Sequence, residues 1–167
     1  MKTWFIMASL MAALSLTTLK EVEAQSRTPS HSFGDYSVAV YHGSAAKPNF
    51  RSKAGSERFK TRIREGIDAG VNFAGHYAIV VFGCGAGCSL GFLVDVKSGR
   101  IFDFPLGGEK NYSLSLDYRK NSRLLNARWI DGMGDDKPTC VRQAFVLNGN
   151  VFKLIHQTRT KGEECYR

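Results

Sequence analysis

Apolar residues recur every four positions in only one segment of the chain. Phe59, Ile63 and Ile67 form this stripe with mainly basic residues between them, which is the pattern of a helix with one buried face. Ser56 is a candidate N-cap, and Gly70 stands where a C-terminal glycine belongs. The pattern predicts a single helix whose narrow apolar face packs against a sheet.

Short apolar segments bounded by turn residues predict strands elsewhere. Asp35–His42 alternates well enough for a first strand, and His76–Phe82 is almost continuously apolar, which indicates burial on both faces. Three further strand pairs are predicted over Leu90–Val96 and Arg100–Phe104, Tyr112–Tyr118 and Leu124–Ile130, and Val141–Leu147 and Val151–Gln157.

Turn residues join the members of each strand pair. Lys97-Ser98-Gly99 offers a glycine for a left-handed position, Arg119–Ser122 is polar, and Asn148-Gly149 is the strongest hairpin signal in the chain. Because the connections are short, we predict an antiparallel meander of about seven or eight strands. The predicted fold class is α+β and β-dominant, with one packed helix.

The first residues have the pattern of an export signal. A positive Met1-Lys2 precedes the apolar stretch Trp4–Leu19, and Val22-Glu23-Ala24 places small residues at a cleavage site. The apolar stretch is shorter than the roughly 20 residues of a membrane-spanning helix. We predict a signal peptide over residues 1–24 and a periplasmic or secreted protein, with an uncleaved N-terminal anchor as the alternative.

One domain is expected after cleavage. Residues 25–34 are polar and contain a proline, which predicts a flexible lead-in. Residues 35–167 then form a single disulfide-stabilised domain, which is long enough for one hydrophobic core. No later segment is long and apolar enough to cross a bilayer, so no stable membrane span is expected after cleavage.

The net charge of +8 indicates acidic partners. The basic residues are interpreted as spread along the chain, on a solvated surface that aids solubility. No Arg or Lys run alternates with stacking aromatic residues, so nucleic acid is not an expected partner. For an exported chain, the expected partner is an envelope or extracellular protein or an anionic polymer.

Four cysteines follow the leader, and an even number in an oxidising compartment predicts two disulfides. Cys84 and Cys88 are separated by Gly85-Ala86-Gly87, whose two glycines permit the sharp turn that so short a loop needs. The favoured arrangement is Cys84–Cys88 with Cys140–Cys165. A crossed arrangement remains open.

Other chemistries compete for the same cysteines. A redox site is disfavoured because the C-x-x-x-C spacing is one residue longer than C-x-x-C and the flanks are strands. A zinc site would combine Cys84 and Cys88 with His76, His156 or Cys140, but a second close ligand pair is absent. A nucleophile at Cys84 or Cys88 would use His76 as its base. We expect no metal and no cofactor.

Two motifs resemble a group of small exported bacterial proteins. Asn72–Tyr77 reads NFAGHY, Gly83–Cys88 reads GCGAGC, and Asp95–Gly99 supplies the D-x-x-(S/T)-G turn that follows in this group. No activity is established for these proteins. The resemblance therefore implies export and a shared fold, and it assigns no catalytic residue.

These patterns favour an exported, non-enzymatic binding or accessory protein, such as an inhibitor or partner of an envelope protein. The sequence presents no coherent acid/base or nucleophile set beyond the cysteines. The alternative is a small cell-envelope cysteine hydrolase or transferase that uses His76 with Cys84 or Cys88.

Overall fold

The computed structural model describes residues 31–166. The predicted signal peptide and residues 25–30 of the predicted lead-in lie outside the described residues. The described part contains seven strands in two antiparallel sheets. The three-stranded sheet contains β1 (Tyr77–Gly85), β2 (Cys88–Asp95) and β3 (Ile101–Asp103), and the four-stranded sheet contains β4 (Tyr112–Tyr118), β5 (Leu124–Asp131), β6 (Thr139–Asn148) and β7 (Val151–Lys161).

The predicted α+β, β-dominant class is confirmed, and the strands pair in chain order as a meander. The meander is divided into two sheets after β3. Pro105 and two glycines with positive φ, Gly107 and Gly108, lie between β3 and β4. A proline cannot donate to a strand ladder, and the glycines permit the turn that starts the second sheet.

The expected first strand over Asp35–His42 is wrong. Phe33–Tyr36 forms a 3₁₀ helix that is closed by a capping box. The Ser32 N–H donates to the Asp35 carboxylate at 2.9 Å, and the Asp35 N–H donates to the Ser32 hydroxyl at 3.4 Å. This local pairing satisfies backbone donors that a strand would have offered to a neighbour. Residues 32–34 of the predicted lead-in are the cap and the first turn of this 3₁₀ helix.

The predicted helix is present as α1 (Lys60–Asp68), directly after a 3₁₀ helix over Ser56–Phe59. Ile63 and Ile67 are fully buried, and Gly70 has a φ of 86° and donates its N–H to the Ile67 carbonyl at 3.0 Å. Ser56 is not the N-cap of α1. Its hydroxyl is buried and donates to the Lys53 carbonyl at 2.7 Å.

The three-stranded sheet is covered on both faces, as the apolar run in β1 indicated. Tyr77 and Ile79 belong to the cluster that packs between the two sheets. Ala78 and Val80 belong to a second cluster that packs against α1. Gly66 permits the close approach of helix and sheet, because a Cβ there would overlap the Val80 side chain.

The second face of the four-stranded sheet, called the outer face here, is covered only at its two ends. Phe33 and Tyr36 pack at one end against a cluster that includes Leu124. A C-terminal 3₁₀ helix over Gly162–Tyr166 packs at the other end, where Cys165 joins Ile130 and Cys140. Within residues 31–166, no helix has the length and apolar character required to cross a bilayer.

Candidate functional site

The structure joins the cysteines in the favoured pairs. Cys84 and Cys88 lie at the tip of the β1–β2 hairpin with Cα atoms 5.2 Å apart. Cys140 and Cys165 connect β6 to the C-terminal 3₁₀ helix, with Cα atoms 5.3 Å apart. No free cysteine occurs in the described part of the chain. Two disulfides are compatible with an exported protein.

His76 lies far from the hairpin cysteines. It immediately precedes β1, where its ring centroid is 4.2 Å from that of Tyr77. Cys84 lies near the other end of the same strand, and eight residues at a rise of about 3.3 Å correspond to roughly 26 Å. The structure therefore does not bring His76 together with Cys84 or Cys88.

The residues considered for zinc are also separated. His156 lies on β7 of the four-stranded sheet, whereas Cys84 and Cys88 lie on the three-stranded sheet. Between residues 31 and 166, no group of three or more His, Cys, Asp or Glu side chains is arranged to hold a metal ion.

Basic residues are concentrated on one side of the molecule, over residues 47–64. This segment, called the basic face here, contains seven Lys or Arg residues and one acidic residue. The other residues between 31 and 166 contain twelve basic and twelve acidic residues. The basic face therefore supplies the whole net charge of the described part of the protein.

Hydrogen bonds fix the first half of the basic face to the three-stranded sheet. The Ile101 N–H donates to the Ser52 hydroxyl at 2.8 Å, and the Asn49 N–H donates to the Gly99 carbonyl at 2.8 Å. The Lys53 ammonium forms an ion pair of 2.7 Å with the Asp103 carboxylate. These contacts hold the loop before α1 in one position relative to β3.

Aromatic rings order several of the cations. The Lys60 ammonium nitrogen lies 6.0 Å and the Arg64 guanidinium carbon 5.9 Å from the centroid of the Phe50 ring. The Arg58 guanidinium carbon lies 6.0 Å from the Phe59 ring centroid. Cation–π attraction reduces the freedom of these side chains and leaves their positive charge directed toward solvent.

Five cations of the basic face make no ion pair with any residue between 31 and 166. Lys53 pairs with Asp103, and Arg62 pairs with Glu65 at 3.2 Å. The remaining cations are Lys47, Arg51, Arg58, Lys60 and Arg64, and all five are exposed. Their charge is available to an external anion.

Apolar surface lies beside these cations. β1 is an edge strand, and its Phe82 is only partly buried on the face that packs against α1. A depression of about 270 Å³ includes Arg58, Arg62 and Phe82 in its lining. The basic face therefore combines positive charge with an adjoining apolar strand edge.

This concentration of charge is not among the features predicted from the sequence. Basic residues do occur along the chain, as expected, but the net charge is not spread in the same way, because outside residues 47–64 the charges in the described region cancel. A count of charge in windows along the sequence reveals the segment. Alternation of basic residues with stacking aromatics does not reveal the segment. Here the aromatic ring lies beneath the cations, as Phe50 does beneath Lys60 and Arg64.

Comparison with known proteins gives no match: no protein-family model, curated protein or solved structure is significantly similar to this chain.

Proposed function

We propose that this chain is an exported, non-enzymatic binding or accessory protein that engages an acidic protein of the cell envelope or extracellular space through its basic face. The observation that supports the proposal is the concentration of the net charge on residues 47–64, where five exposed cations have no described acidic partner. Complementary charge of this kind speeds association and selects partners.

The composition of the basic face favours a protein over an anionic polymer. Four of its seven cations are arginines, which bind carboxylates through two parallel hydrogen bonds. Arginine and aromatic side chains are typical of the energetically important centre of protein interfaces. Phe82 supplies apolar surface next to Arg58 and Arg62, which a polymer of repeated charges would not need.

The cysteine enzyme receives no support from the geometry. A nucleophilic cysteine needs a free thiolate with a base within hydrogen-bond reach. Cys84 and Cys88 are bonded to each other, and His76 lies near the opposite end of β1. We expect titration of the native protein with a thiol reagent to find no reactive cysteine. A reactive thiol at Cys84 or Cys88 would contradict this expectation and favour the cysteine hydrolase or transferase.

Charge reversal on the basic face tests the binding proposal. The variant Arg58→Glu/Lys60→Glu/Arg64→Glu alters three exposed cations without touching either ion pair. The control Lys110→Glu/Lys120→Glu/Lys153→Glu makes the same change in net charge at exposed positions elsewhere. Binding of a fluorescent poly-glutamate peptide would be measured by anisotropy at several salt concentrations, with polyphosphate and anionic phospholipid vesicles as competitors.

We expect the basic-face variant to weaken peptide binding by about tenfold or more and the control by much less. Binding by the unmodified protein should weaken as salt increases, since the contacts are exposed. Equal losses in both variants would refute the basic face as the site. Stronger competition by polyphosphate or vesicles would identify a polymer or a membrane surface as the partner instead.

A further inference from the structure

A groove of about 390 Å³ lies on the outer face of the four-stranded sheet. It lies between the N-terminal 3₁₀ helix and the C-terminal 3₁₀ helix, which cover the two ends of that face. Its polar lining includes Ser115, Asp117, Asn126, Arg128, Arg142 and His156. We call it the outer groove. The basic face lies on the far side of the three-stranded sheet, so the two surfaces are separate.

Strand register places these side chains in two neighbouring rows. One row crosses the sheet from Ser115 through Arg128 and Arg142 to Thr158. The next row runs from Asp117 through Asn126 and Ala144 to His156. Because strands lie about 4.8 Å apart, Arg142 is within side-chain reach of Arg128 and Asn126.

Arg142 is held in place by neutral acceptors. Its guanidinium group donates to the Thr160 hydroxyl at 3.3 Å and to the Glu164 carbonyl at 2.5 Å. It forms no ion pair within residues 31–166. A guanidinium group has five N–H donors, so Arg142 retains donors for a ligand while its orientation is fixed.

The arrangement of charge favours an anion in the groove. Arg128 lies directly opposite Arg142 in the β5–β6 register. Two guanidinium groups in one lining favour an anionic ligand over a cationic one. The Asn126 amide and the Ser115 hydroxyl lie in the same lining and offer neutral hydrogen-bond donors.

Asp117 limits the kind of anion. Its carboxylate lies on β4 in the lining of the groove, where it repels groups of high negative charge. It attracts a hydrogen-bond donor or an ammonium group at that end. A singly charged carboxylate therefore suits this lining better than a phosphate dianion.

We propose that the outer groove binds a small carboxylate-bearing ligand, with Arg142 as the main donor. The ligand is either a free organic acid or amino acid, or the C-terminal carboxylate of a peptide, since both present the same group. A bidentate contact to a guanidinium group gives a carboxylate both affinity and a defined orientation.

The test is a two-dimensional ¹⁵N–¹H NMR titration of the mature chain with acetate, glycine, inorganic phosphate, and a short peptide with a free or an amidated C-terminus. Saturable shifts at residues lining the outer groove are expected with carboxylates. Shifts with the free-carboxylate peptide but not with the amidated peptide would identify the ligand as a peptide C-terminus. Shifts with acetate and glycine but with neither peptide would identify it as a small organic acid or amino acid. Shifts only with phosphate, or no saturable shift at the groove, would overturn the proposal.

Two near-isosteric variants keep the test independent of Arg142, whose loss could loosen the C-terminal helix. Asn126→Asp adds a negative charge beside Arg142 and should weaken carboxylate binding at least about tenfold. Asp117→Asn removes a negative charge from the lining and should strengthen carboxylate binding. An unchanged affinity in both variants would contradict the assignment. Neither variant touches the basic face, so poly-glutamate binding tests the proposed function separately.

Discussion

Ser122 connects the first described residues to the four-stranded sheet. Its side chain is buried; the hydroxyl donates to the Phe33 carbonyl at 2.8 Å and accepts from the Leu124 N–H at 3.2 Å. A buried polar group that loses its partner costs more free energy than the hydrogen bond contributes when it is made. This single hydroxyl therefore stabilises both the N-terminal 3₁₀ helix and the start of β5.

We predict that Ser122→Ala lowers the free energy of unfolding by about 1–3 kcal/mol. The Leu124 N–H loses an acceptor and the Phe33 carbonyl loses a donor. Urea unfolding followed by fluorescence measures the effect. Ser44→Ala, at an exposed position with no side-chain hydrogen bond to a described residue, is the control. Equal stability of the two variants would refute this role.

Two tyrosines, the buried Tyr77 and the half-buried Tyr118, make stability dependent on alkaline pH. Burial raises the pKa of the Tyr77 and Tyr118 phenols above the ordinary value of 10.0. The unfolded chain releases these protons first, so their contribution to stability is complete below about pH 10 and decreases as the pH rises toward the folded pKa values. Tyr118→Phe should flatten the fall of unfolding free energy with pH; an unchanged slope would show that other groups cause it.

At the scale of elements, the hairpins could be predicted and the sheet division could not. Asn148-Gly149 indicates a turn from local backbone preference, and the structure turns one residue later, at Gly149-Asn150, between paired Asn148 and Val151. This hairpin can therefore be predicted from residues that are adjacent in the sequence. Nothing in a strand's own pattern specifies which distant face it covers, so the packing of two sheets was not evident.

The capping box and the outer groove show two different limits of the sequence. Ser32 and Asp35 form a local motif that could have been recognised, but the alternation in Asp35–His42 was given more weight. Arg128 and Arg142 meet only because the register of β5 and β6 aligns them. One residue of slip would place either side chain on the opposite face, so sequence alone could not identify this pair.

The contact of α1 with the sheet depends on Gly66. A Cβ at this position would overlap Val80, and overpacking of this kind costs about 1–3 kcal/mol. We predict that Gly66→Ala destabilises the protein although alanine favours helices. Thr61→Ala, on the exposed side of the same helix, should be neutral or slightly stabilising. Thermal unfolding of both variants by circular dichroism checks the contrast; stabilisation by Gly66→Ala would disprove the close contact.

The two disulfides act at different scales of the molecule. Cys140–Cys165 spans 25 residues and attaches the end of the chain to β6, whereas Cys84–Cys88 spans 4 and closes a hairpin tip. Restriction of the unfolded chain increases with loop length. The C-terminal bond should therefore contribute more to global stability, although both cysteine pairs were equally visible in the sequence.

We predict that Cys140→Ser/Cys165→Ser lowers the free energy of unfolding by about 3–4 kcal/mol and Cys84→Ser/Cys88→Ser by about 2 kcal/mol. Chemical unfolding of the two double variants under identical conditions provides the comparison. The Cys84→Ser/Cys88→Ser variant is the control, because it also removes one disulfide, but one that closes a much shorter loop. A larger loss from the hairpin pair would contradict the loop-length argument.

The arrangement of the chain ends determines when the molecule can complete its folding. The Val38 N–H donates to the Asn121 carbonyl, and the Gly162 N–H donates to the Pro138 carbonyl. Each end of the described chain therefore docks on a segment that is distant in the sequence. A chain that is synthesised N-terminus first presents residues 33–38 long before their docking site exists. The N-terminal segment must therefore wait, undocked, until most of the polypeptide has been made, and the outer face is assembled late.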